Sequence, residues 1–136
     1  FFIHNILIFK LHFFNCIAMK HFNYYEKQDV LNLTKIRRFE TKLGERVSCK
    51  NPIKSIEETL QNKDISFVVF GIPEDIGVKA NLGIGGADTA WQYFLKSFLN
   101  IQSNDFIDGN NILLLGHFEF GDLEQLIEQK WMPLLF

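Results

Sequence analysis

Two uncharged, strongly apolar runs constrain this chain more than any other feature. Ile65-Ser66-Phe67-Val68-Val69-Phe70 is β-branched and aromatic with one hydroxyl, and Ile112-Leu113-Leu114-Leu115-Gly116 is its counterpart. Short apolar runs bounded by turn residues read as strands covered on both faces, the pattern of parallel sheets. Between them, Gly71, Pro73, Gly77, Gly83, Gly85 and Gly86 punctuate a long loop. Ala87, Trp91, Phe94, Leu95 and Phe98 then fall on one face of a helix over residues 87–99, with Gln92 and Lys96 on the other. Asp88 in its first turn complements the helix dipole. A polar turn at residues 103–111 leads to the second strand. Strand, loop, helix, turn and strand make one βαβ unit, whose strands lie parallel with a right-handed crossover. The expected fold class is α/β. Strands this apolar need more sheet and more helical cover than one unit supplies, so the expectation is of an incomplete domain.

The flanking segments are less regular. The pattern over Tyr24–Leu33 suits a short helix with Val30, Leu31 and Leu33 inward, and a short strand is expected near residues 46–49. Pro52 opens a helical stretch in which Ile53, Ile56 and Leu60 share a face opposite Glu57, Glu58 and Lys63. Another amphipathic helix is expected over Leu123–Gln129, and the apolar Trp131–Phe136 needs cover. Residues 1–18, FFIHNILIFKLHFFNCIA, are apolar enough to suggest a signal or anchor. However, His4, Asn5, Lys10, His12 and Asn15 interrupt them and no basic region precedes them. The first methionine, Met19, stands where the sequence turns polar. Residues 1–18 are therefore read as translated upstream sequence, and 19–136 as the N-terminal portion of a domain.

Charge and cysteine usage exclude several function classes. A formal net charge of -2 gives no electrostatic ground for a nucleic-acid or membrane partner. The one basic doublet, Arg37-Arg38, sits beside Glu40 and Glu45 and reads as a solvated, mixed-charge segment. Cys16 and Cys49 are the only two cysteines, too far apart in sequence to suggest a disulfide framework or a zinc pair. A reducing cytoplasm is the expected compartment.

The loop after the first strand is the best candidate for chemistry, because open α/β sheets bind ligands beyond the carboxyl ends of their strands. Glu74, Asp75, Lys79 and Asn81 supply polar groups there. A binding loop and a structural loop both fit. Gly83-Ile84-Gly85-Gly86-Ala87 opens a helix as phosphate-binding glycines do, which keeps a nucleotide-binding α/β domain among the readings. Against it, Asp88 stands where the third glycine belongs, and the glycines lie a dozen residues beyond the strand. No Walker A lysine with serine or threonine follows. Strand alternation places His117 and Glu119 on one face, yet catalytic zinc needs three protein ligands, and a lone strand-end histidine is more often packed. Ser55, Ser66 and Ser103 lie in no nucleophile elbow, and neither cysteine lies in an activating motif.

The stretch VVFGIPEDIGVKANLGIGGADTAW, residues 68–91, resembles the segment after the first sheet strand of arginases, agmatinases and formimidoylglutamases. That family reads Gly-x-Pro-x-Asp-x-Gly and then a Gly-Arg-x-Gly-Ala turn. Here these positions are Gly71, Pro73, Asp75 and Gly77, then Gly83, Ile84, Gly86 and Ala87. LTKIRRFETKLGERV and FLKSFLNIQSNDFIDGNNILLLGHFEF are similar to the formimidoylglutamase-like branch, and the resemblance runs from about Met19 to Gln129. It implies a three-layer αβα sandwich, hydrolysis of a formimino or guanidino carbon–nitrogen bond in a small amidine, and a dinuclear manganese centre. It also leaves a homo-oligomer open. Asp75 and Asn81 are the residues it points to for substrate-side or loop-fixing contacts. Ile84 departs from the family's arginine, a planar five-donor group that isoleucine cannot replace. The family's Gly-Gly-x-His, Asp-x-His-x-Asp and Asp-x-Asp-x-x-Asp-Pro ligand clusters are absent, and Gly116-His117 aligns with an earlier strand. No catalytic residue or metal ligand is assigned, and this chain alone is expected to be inactive. The rival readings are a non-catalytic remnant or interaction module, and the nucleotide-binding domain.

Overall fold

The computed structural model describes residues 21–121. The run at residues 1–18, the helix expected over 123–129 and the apolar 131–136 lie outside them. Three strands, β1 (Phe22–Tyr24), β2 (Phe67–Gly71) and β3 (Ile112–Phe118), form one sheet in the order β1-β3-β2. β2 runs parallel to β3, and β1 runs antiparallel to it. Five helices accompany the sheet among the described residues: α1 (Lys27–Asn32), α2 (Leu43–Arg46), α3 (Ile56–Leu60), α4 (Ile76–Ala80) and α5 (Ala90–Phe98). Short 3₁₀ turns at Ala87–Thr89 and Gly109–Asn111 lead into α5 and β3. The protein is thus a mixed α/β structure on a small mixed sheet. None of the described helices is long and apolar enough to cross a membrane.

The expected crossover is present. β2, the glycine segment, α5 and β3 follow one another, and β2 pairs with β3 in parallel from Phe67 opposite Ile112 to Gly71 opposite His117. A bulge interrupts the ladder: Val69 faces Leu114, but Phe70 faces Gly116, so Leu115 is the extra residue. Gly116 has φ of 146°, and a Cβ there would overlap the Asn23 carbonyl of β1. Only glycine fits at this point.

One face of the sheet is covered by α1, α2 and α5. Val30, Leu43, Val47, Leu95, Leu99, Ile112 and Leu114 form the buried cluster, with Val69, Trp91 and Phe98 packed against it. The pattern over residues 87–99 produced this face, since Leu95 is buried and Trp91 and Phe98 are half-buried. Phe94, expected to share it, is 42% exposed and instead stacks between Trp91 and Phe98, with ring centroids 5.3 and 5.1 Å away. The opposite face carries an aromatic group in which Phe22 meets Tyr24, Phe70 and Phe118. Lys27 of α1 ties α2 down by donating from Nζ to the carbonyls of Gly44, Glu45 and Val47.

Several expectations need correction. Only β3 is buried as the apolar runs suggested; Phe67 and Phe70 of β2 are 61% and 46% exposed, because β2 is an edge strand among the described residues. The segment from Gly71 to Gly86 is divided by α4 and is no continuous loop. Residues 46–49 form no strand: α2 takes up Arg46, and Ser48 makes a single parallel bridge to Leu113. The helix expected after Pro52 begins only at Ile56, and Ile53 is 92% exposed. Ser55 sets that start, since its Oγ accepts from the Glu58 amide while Glu58 accepts from the Ser55 amide. Tyr24 belongs to β1, so the helix expected from that residue starts at Lys27.

Candidate functional site

The candidate site is the segment that leaves the carboxyl end of β2. Gly71, the last residue of β2, is buried against the indole of Trp91, and any Cβ would run into that ring. Trp91 in turn donates from Nε1 to the Tyr25 hydroxyl at 2.9 Å. The close approach of strand and helix therefore depends on a glycine, and it fixes where the next residues begin.

Asp75 precedes α4 and is 3% exposed. Its carboxylate holds two separate parts of the segment. Lys79, one turn along α4, places Nζ 2.9 Å from Oδ1, and the Gly86 amide donates to Oδ2 at 2.9 Å. Gly85 passes so close that a Cβ would lie 2.6 Å from Oδ2 and 3.1 Å from Cε of Lys79. Gly86 has φ of 124°, in the region that disfavours side chains. The glycines at 85 and 86 thus let the chain fold over a buried carboxylate and point an amide at it. A side-chain ion pair so nearly buried draws its strength from low dielectric and good geometry.

Asn81 sits elsewhere. It is exposed at the C-terminal end of α4, where its Nδ2 donates to the Gly77 carbonyl at 2.9 Å. Glu74 is half-buried and accepts a longer bond, 3.4 Å, from the Gly77 amide. The structure therefore brings Asp75, Lys79 and Gly86 together but leaves Asn81 on the outer end of the short helix. Ile84, at the turn's tip, is 96% exposed.

The amides of the glycine turn bear on the nucleotide reading. Gly83 donates to the Val78 carbonyl at 2.9 Å and Gly86 donates to Asp75. A phosphate cradle needs such amides turned toward the anion, and here two are engaged inside the segment beside a carboxylate. The arrangement does not favour a bound phosphate.

His117 lies near the end of β3, in register with Gly71 on one side and Asn23 on the other. Its ring packs 5.3 Å from that of Tyr25, and its Nδ1 is buried with no hydrogen-bond partner among the described residues. Burial holds the imidazole below its usual value, with Glu119 acting in the opposite direction. No alternation argument identified the Tyr25–Trp91–Gly71 contact, because it joins residues from three distant segments. Cys49 is half-buried, and burial raises its thiol above the ordinary value, against the nearby Lys27. That is the setting of an unreactive cysteine. Among the described residues, no three His, Cys, Asp or Glu side chains converge as a metal site would require. Comparison with protein-family models, curated proteins and solved structures finds no match to this chain.

Proposed function

We propose that residues 19–129 are the N-terminal part of an arginase-like ureohydrolase domain, nearest the formimidoylglutamases. In this reading the fold continues as a three-layer αβα sandwich, and the chemistry is hydrolysis of a formimino or guanidino carbon–nitrogen bond. The observation that carries it is the parallel crossover from β2 through α5 to β3, with the Gly71-x-Pro73-x-Asp75-x-Gly77 segment at the carboxyl end of β2. Parallel α/β sheets place ligands at that end. Asp75 then acts as the residue that sets the shape of the wall, and the exposed Asn81 at the end of α4 is the candidate for contact with a small amidine.

Family membership implies two manganese ions, which supply a metal-activated water when bound. The described residues do not fit that centre. Asp75 is committed to Lys79 and to the Gly86 amide, and His117 packs on Tyr25 without a second imidazole or a carboxylate cluster beside it. No catalytic step is therefore derived from them. Their contribution is the shaped segment 72–86.

Reading the coding sequence beyond the codon for Phe136 tests the proposal. In-frame Gly-Gly-x-His and Asp-x-His-x-Asp clusters are expected, and the longer product should hydrolyse a formimino amino acid with manganese. A frame without those clusters overturns the hydrolase reading in favour of a remnant or interaction module. For the 136-residue chain, calorimetric titration with manganese should show no micromolar binding and no amidine turnover. Finding both would place the metal ligands within this chain and contradict the assignment.

A further inference from the structure

We draw no further inference here: the strongest candidate, the groove between α1 and α5 lined by Asp29, Val30, Leu33, Leu95, Lys96 and Leu99, is a mainly apolar surface, and nothing among the described residues shows what covers it.

Discussion

Asp75 is the residue on which most of the candidate site turns. Its carboxylate is nearly buried and serves a lysine and a backbone amide eleven positions away in sequence. Removing one partner of a buried pair leaves the others desolvated without compensation. Asp75→Ala should therefore cost about 3 kcal/mol, discounted from the upper range because Lys79 is partly exposed. Urea denaturation checks the figure, and a loss within a few tenths of a kcal/mol would show that the turn at Gly85-Gly86 is held by other contacts. His117 provides the second residue-level test. Its neutral form is favoured in the folded chain, because burial lowers its affinity for a proton. The unfolded chain titrates near the ordinary value of about 6.5. The stability it contributes is thus complete above that pH and is lost as pH falls through the lower folded value. The denaturation midpoint should decline from about pH 7 to about pH 5 more steeply in the native chain than in His117→Phe. Equal slopes would remove His117 from the account.

At the level of elements, the contact between β2 and α5 is decided by one missing side chain. Gly71 lies flush with the Trp91 indole, and that indole is held by the Tyr25 hydroxyl from beyond β1. Gly71→Ala forces strand and helix apart or rotates the ring, and overpacking of this kind costs about 2 kcal/mol. Tryptophan fluorescence and thermal denaturation together should report a shifted emission and a lower midpoint. An unaltered midpoint would mean that the indole can move aside freely. The same contact explains what was legible in the sequence and what was not. The α5 face was readable because Leu95, Trp91 and Phe98 recur at helical spacing. The partner of Trp91 was not readable, since Tyr25 and Gly71 carry no mark of being neighbours in space. The short α4 was hidden for a different reason. Gly77 and the flanking glycines have low helical propensity, and Lys79 reaching back one turn to Asp75 holds the five residues in place.

Across the whole molecule, the mixed sheet shows where sequence patterns stop being informative. An apolar run reports that a strand is destined for burial, but it does not report which neighbour does the burying. β3 is covered by strands on both edges, whereas β2, of similar composition, is half open among the described residues. The strand β1 was missed altogether, because its three residues pair across more than ninety positions of sequence, from Phe22 to Phe118. The sequence by itself determined that this chain is α/β, that the runs around Val69 and Leu114 are strands joined by the helix that follows the glycine segment, and that chemistry should be sought beyond β2. These follow from periodicity and turn residues, which act over a few positions. Only the tertiary structure decided that Asp75 is spent on Lys79 and Gly86, that Asn81 bonds back to the Gly77 carbonyl at the end of α4, and that β2 pairs with β3 alone among the described residues. Hydrogen bonds and close contacts between distant segments settle such matters, because they depend on distances that no local pattern encodes.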